Sequence, residues 1–267
     1  MKRVLTIGLA LLLMGTINPN QLEENTGDDG DSTWIPLFNG KDLSGWDIKI
    51  RGYELGVNYN NTFRVEERVL KVSYDRYETF KEEYGHLFYQ QPFSSYRLRV
   101  EYRFVGDQVS QGPGWAFRNN GLMLHSQSAR SMGLDQDFPI SLEAQLLGGR
   151  TEGERSTMNL CTPGSNVVIR DELREEHCID SRSKTFRGDS WVTAEVVVYR
   201  DSVIHHLVEG DTVLTYSRPT IGGGEISGHN PDVYTEGIPM TSGYIAIQAE
   251  SHPTEFRKIE IQKLEFP

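Results

Sequence analysis

The feature that most constrains this chain is an alternation of apolar and polar residues in short runs, cut again and again by Gly, Pro, Asn and Asp. The runs include "RVLKVS" (68–73), "HLFY" (86–89), "SYRLRVEYRFV" (95–105), "GLMLHSQ" (121–127) and "ISLEAQLL" (140–147). They continue with "WVTAEVVVYR" (191–200), "VIHHLVEG" (203–210), "TVLTYS" (212–217), "GYIAIQAE" (243–250) and "FRKIEIQKL" (256–264). A period of two places successive side chains on opposite faces of a strand, so each run has one face to bury. Many such strands, without heptads or internal repeats, predict an all-β chain folded as a β-sandwich or jelly roll. "VEGDTV" (208–213) predicts a tight hairpin centred on Gly210 and Asp211. Only "RYETFKEEYG" (76–85) reads as helical. Two loops, 106–119 and 218–242, are longer than a sandwich needs, and long loops in compact domains tend to be functional.

The chain has 267 residues and a formal net charge of −11. That balance argues against a nucleic-acid partner, since phosphates call for a basic surface. Lys2 and Arg3 precede the apolar run "VLTIGLALLLM" (4–14), which is too short to span a bilayer comfortably. Residues 1–17 are therefore expected to be a secretory signal peptide, with no stable membrane span. Residues 18–32 are acidic and nearly free of apolar side chains, and are expected to be a disordered linker. Residues 33–267 are expected to form one domain. The destination is exported, periplasmic or extracellular. Cys161 and Cys178, an even count in an exported chain, suggest a disulfide; two free thiols, or a metal site with His177, are the alternatives.

Three strands offer a polar face in mid-run. Glu143 and Gln145 oppose Leu142, Ala144 and Leu146; Tyr244, Gln248 and Glu250 oppose Ile245, Ile247 and Ala249; His125 shares a face with Met123 and Gln127. If these strands are neighbours, His125, Glu143, Gln145, Gln248 and Glu250 line one hydrogen-bonding surface suited to a sugar. The plain alternative is the wet outer face that any sandwich has. Such faces usually carry Lys, Arg and Glu, as with Arg97, Arg99 and Glu101, whereas no lysine stands near the Gln, His and Tyr set. His252, in the turn after Glu250, is a candidate acid–base partner. "GPGWAFRNNG" (112–121) supplies Trp115 for stacking on a sugar ring, with Arg118 and Asn120 beside it. His205 and His206 point to opposite faces, so one metal would not take both. No cofactor is specified by motif, and room for a divalent metal is left open.

Several segments together resemble the 3-keto-disaccharide hydrolase domain family. They are "WIPLFNGKDLSGW" (34–46), "NNGLMLHSQ" (119–127), "SLEAQLLGG" (141–149) and "GYIAIQAESHPTEFRKIEI" (243–261). The segments "NLCTPGSNVV" (159–168) and "HCIDS" (177–181) resemble a subgroup with a paired-cysteine insertion. Asn120, Pro253 and Lys258 stand where the family more often has Ser, Gly and Asn. The resemblance implies a concanavalin A-like jelly roll of two curved antiparallel sheets, export from a bacterium, and a carbohydrate substrate. It also implies that Glu143, Gln145, Gln248 and Arg257 lie in the concave cleft. For a 3-keto-glycoside, Glu143 or His125 would be the base, Arg257 the enolate stabiliser, and Glu250 or His252 the acid. Two further readings stand beside this one. Glu143 and Glu250 could pair as in a retaining glycosidase, if about 5 Å apart. The same cleft, with Trp115 as a platform, could be a binding module without turnover.

Overall fold

The structure, a computed structural model, describes residues 33–224 and 226–265. The expected signal peptide and linker lie outside the described residues. In chain order the strands are β1 (Ile35–Pro36), β2 (Trp46–Ile50), β3 (Phe63–Glu66), β4 (Val69–Val72), β5 (Gly85–Tyr89) and β6 (Ser95–Phe104). There follow β7 (Asn119–Ser126), β8 (Leu142–Leu147), β9 (Asn159–Cys161), β10 (Ser165–Ile169), β11 (Glu172–Arg174) and β12 (Cys178–Ile179). The last are β13 (Val192–Tyr199), β14 (Val203–Val208), β15 (Asp211–Ile221), β16 (Tyr244–Ala249) and β17 (Thr254–Lys263). A ten-stranded sheet runs β11-β10-β15-β14-β13-β6-β17-β4-β3, with β1 pairing β17. A seven-stranded sheet runs β12-β9-β8-β7-β16-β5-β2. All pairings are antiparallel, and the fold is the all-β jelly-roll sandwich expected.

The core lies between the sheets. Tyr96, Leu98, Val100, Tyr102 and Phe104 of β6 face Leu122 and Leu124 of β7, Leu142, Ala144 and Leu146 of β8, and Ile245 and Ile247 of β16, among others. Each side chain fully buried this way contributes about 1.5–3 kcal/mol. Alternation therefore decides which residues are left to face outward. His206 points inward and bonds the Met158 carbonyl and the Tyr216 hydroxyl, while His205 meets Thr215 on the outside.

The outer face of the ten-stranded sheet is a net of ion pairs. Arg97 and Arg99 share Glu195, and Arg103 holds Glu255. A bulge between Phe256 and Lys258 brings both Arg257 and Lys258 onto Glu101. Trp191 lies between the guanidinium groups of Arg103 and Arg257, each 4.6 Å from its ring. Arg257 is therefore not a cleft residue: β17 belongs to the other sheet.

Two local expectations are corrected. No helix forms over 76–85. Phe80 and Tyr84 are drawn into the core, and the Phe80 N–H bonds the Ser110 carbonyl instead of a helical one. The hairpin is centred one residue earlier than expected. Val208 pairs with Asp211, so Glu209 and Gly210 make the turn, with φ of 51° and 89°. Both positive values match the turn whose twist suits a two-residue hairpin.

Cys161 and Cys178 form the disulfide, joining β9 to β12 at residues directly opposite in register. It closes a loop of sequence separation 17. A double replacement of both cysteines by Ser is expected to cost about 3 kcal/mol by loop-closure entropy, read as a lower midpoint of denaturant unfolding.

Candidate active site

The seven-stranded sheet carries the site on its outward face, which is divided in two. Over β16 and β5 an apolar plug of Phe88, Met123, Ala129, Met132 and Ala246, with Leu55 and Tyr244 packed on it, fills the surface. Beyond it Lys49 is buried and donates to the carbonyls of Ile50, Tyr53 and Leu134. The other half, over β12, β9, β8 and β7, is an open cleft of about 1150 Å³. Its floor carries Glu143, Gln145 and Asn159. Glu250 enters just past the end of β16, and Trp115, Arg150 and Arg155 come from the rim loops.

Register explains the floor. Glu143 lies opposite Cys161 on one side and Met123 on the other; Gln145 lies between Asn159 and Gly121. The pairing of Ile247 with Leu122 continues to set Gln248 beside Gly121, and Gln248 in turn pairs with His86. Gly121 is the one position in this row without a side chain, and the Glu143 carboxyl lies over it. A Cβ at Gly121 would meet the Glu143 carboxylate oxygen, with Cγ at 2.7 Å and Cδ at 2.8 Å. The glycine is thus a notch that receives the acid.

Glu143 and Glu250 are both buried, and neither has a salt bridge among the described residues. Glu143 Oε1 and Glu250 Oε2 have no hydrogen-bond partner there. Burial pushes Glu143 up from the ordinary carboxylate range to about 8. Glu250 is raised well above its ordinary value, first by burial and then by the charge of Glu143, with Arg155 opposing. The pair therefore holds protons that exposed carboxylates would have lost. Other cleft carboxylates are already engaged: Asp180 accepts from Asn159, Glu154 from Thr185, and Asp137 from Ser227.

An aromatic wall stands on the Glu250 side. Trp115 is 52% exposed, and its ring stacks on Tyr84 at 6.2 Å and 22°. Tyr84 also contacts Phe138. On the other side the cleft is polar, with Asp180 and Ser181 beside the disulfide. Cys161, His177 and Cys178 cluster there, but both sulfurs are committed to the disulfide, so the trio does not offer a metal three ligands.

Of the residues expected from sequence, Glu143, Gln145, Glu250 and Trp115 line the cleft together. Gln248 shares their face but is wholly buried beneath it, its amide unpartnered among the described residues. The others lie elsewhere. A bulge in β7 opposite β16, with φ of 47° at His125, turns that ring inward. His125 packs edge-on to the core Tyr96 and contacts the Arg200 carbonyl through Nε2. Gly243 permits this, since a Cβ there would strike the His125 backbone. His252 is buried between Phe104 and Phe117, and burial holds it down to about 4, so it stays neutral. Arg118 is drawn away by Asp189 and the Gly188 carbonyl. Asn120 is spent on the backbone: it donates to the Gln248 carbonyl and accepts from Gly121 N. Tyr244 belongs to the apolar plug. Sequence reasoning missed Arg150, Arg155, Tyr84 and Phe138. Their loops carry no periodicity, and only the Gly-rich flanks of "LLGGRTEGER" (146–155) mark the first two.

Residues 33–262 match the family model described as the 3-keto-alpha-glucoside-1,2-lyase-like domain. Among curated proteins, none matches the sequence. Two crystal structures from Parabacteroides distasonis ATCC 8503, each provisionally named a glycosyl hydrolase, are similar in fold. One has a TM-score of 0.51 at 13% identity, covering 87% of this chain and 100% of that one. The other has a TM-score of 0.53 at 16% identity, covering 90% and 98%. At such identities the likeness is one of fold.

Two outcomes follow from the buried acids. A carboxyl raised from 4.5 to about 8 binds more protons folded than unfolded, so its stabilising effect is complete below about 4.5 and is lost as pH rises through about 8. Glu143→Gln removes that loss. Its melting temperature is expected to match the native protein near pH 5 and to exceed it by several degrees at pH 9, at about 2–4 °C per kcal/mol. Gly121→Ala, which fills the notch, is expected to destabilise by about 1–3 kcal/mol in denaturant unfolding.

Proposed function

The chain belongs to the 3-keto-α-glucoside-1,2-lyase-like domain family, and on that footing we propose that it is a carbohydrate-processing enzyme acting on glycosides oxidised at C3. The observation that carries the reading is that two buried carboxyls, Glu143 and Glu250, share one cleft without a salt bridge among the described residues, both raised toward the protonated form. Two carboxyls that hold protons as a pair can supply one base and one acid.

A ketone at C3 makes the C2 proton acidic. Glu143, on the cleft floor beside Gln145, removes that proton, and the electron pair moves into the C2–C3 bond and onto the C3 oxygen. The enolate then collapses, C1=C2 forms, and the C1–O bond to the aglycone breaks. Glu250, in its protonated form, gives its proton to the departing oxygen. Water adds to C1 and a proton returns to C2, which restores the 3-keto sugar and releases the aglycone. Arg150 and Gln145 line the same cleft and supply N–H donors for the C3 oxygen and the ring hydroxyls. They replace Arg257, which the fold sets on the other sheet. The aromatic wall beside Glu250 favours placing the aglycone against Trp115, and the amides beside Glu143 favour placing the oxidised sugar there.

A second reading rests on Trp115. A half-exposed indole in a cleft is also what a sugar-binding module presents. The basic–apolar start of the chain and the disulfide support an exported protein, periplasmic or extracellular.

Incubation with a 3-keto-glucoside and its non-oxidised parent decides between them. Aglycone release is expected from the oxidised substrate alone. Glu143→Gln is expected to lower it by about 100-fold or more while the variant stays folded. Tight binding with no release from either compound would support the module and sink the enzyme. The rate is expected to rise with pH, above the ordinary carboxylate range, as the pair gives up its first proton, and to fall again where the second is lost.

A further inference from the structure

One guanidinium grips the backbone that carries Trp115. Arg155 donates through one terminal nitrogen to the carbonyls of Phe117, Gly148 (3.0 Å) and Arg118 (3.5 Å), and through the other to the Trp115 carbonyl (3.0 Å). The segment it grips, Gly114–Ala116, is a single 3-10 turn. Such a turn satisfies few of its own carbonyls, so they need outside donors. One bond of this kind runs from Ala116 N to the Pro113 carbonyl. Arg150 takes the Gly114 carbonyl at 2.5 Å, and Gln108 takes that of Pro113 at 2.9 Å. Arg155 holds the carbonyl of Trp115 itself and, just past the turn, those of Phe117 and Arg118.

The same side chain lines the cleft and has no salt-bridge partner among the described residues. Its charge and that of Glu250 act on each other. The other titratable groups around Glu250 are Glu143 from β8 and Tyr74 and Tyr84 from the segment between β4 and β5. Among the described residues, Arg155 is thus the cation whose charge acts on this carboxyl group.

We propose that Arg155 is a positioning residue: it fixes the Trp115 ring as the platform of the cleft and keeps a positive charge facing Glu250. The kinetic part of this rests on the acid–base reading above; the structural part does not. Lys at 155 keeps the charge and loses the four-carbonyl grip, and Met loses both, so the two roles separate.

Amide hydrogen exchange over 113–119 tests the grip without substrate. Arg155→Met and Arg155→Lys are both expected to exchange at least tenfold faster there than the native protein, with the 254–263 strand unchanged as a folding control. Turnover of a 3-keto-glucoside tests the charge. With Met, the alkaline limb of the pH profile is expected to move to higher pH, because a cation that favoured ionised Glu250 is gone. With Lys it is expected to stay, while KM rises in both variants. Unchanged exchange in both variants, or an alkaline limb that moves equally in both, overturns the proposal. If Met unfolds the protein, the Lys variant decides alone: native exchange over 113–119 overturns the proposal. Absence of turnover by the native protein would sink the proposed reaction, and the exchange result would still stand or fall by itself.

Discussion

The constraint on which everything else depends is the face-to-face burial of the two sheets. Once Leu122, Leu142, Ala144, Ile245 and Ile247 commit to the space between sheets, the intervening residues of the same strands must look outward. A single shift of register would exchange the two sets. The core is therefore what aims Glu143, Gln145 and Gln248 at the open face, even though none of them contributes to the core itself.

An outward face need not be wet. Here one half is filled by methionines, Phe88 and small residues, and the other half is walled by loops. The walls withdraw Glu143 and Glu250 from water without giving either a cation in contact. Leaving a carboxyl buried and unpaired is costly, because desolvation penalises its charged form. The fold accepts that cost at Glu143 and Glu250, beside an Asn119 side-chain carbonyl oxygen and a Gln248 amide that are also buried without partners among the described residues.

Much of this was legible from residue order. Alternation identified the strands, and it identified Glu143, Gln145, Gln248 and Glu250 as sharing a face, because period two is a local property of the backbone. His125 failed that rule. One extra residue in β7 reverses the face, and nothing in "GLMLHSQ" (121–127) announces it except Gly243 on the neighbouring strand. Arg257 failed for another reason. Its motif lies close in sequence to Glu250, but the chain crosses to the second sheet between them. Nearness along the chain and nearness in space part company at such a turn. Arg150 and Arg155 sit in a loop with no pattern to read, and their roles arise only where that loop meets 113–118.

The sequence by itself determined the all-β architecture and the faces of most strands, since these rest on local geometry, and it suggested a disulfide that the tertiary structure then formed. Only the tertiary structure decided which strands stand side by side, and therefore that Glu143 and Glu250 share one cleft. It also decided that His125, His252 and Arg257 are packed away from it, and that Arg155 reaches it. Those outcomes depend on sheet order, on one bulge and on the meeting of distant loops, and such long-range contacts leave no periodic trace in the chain.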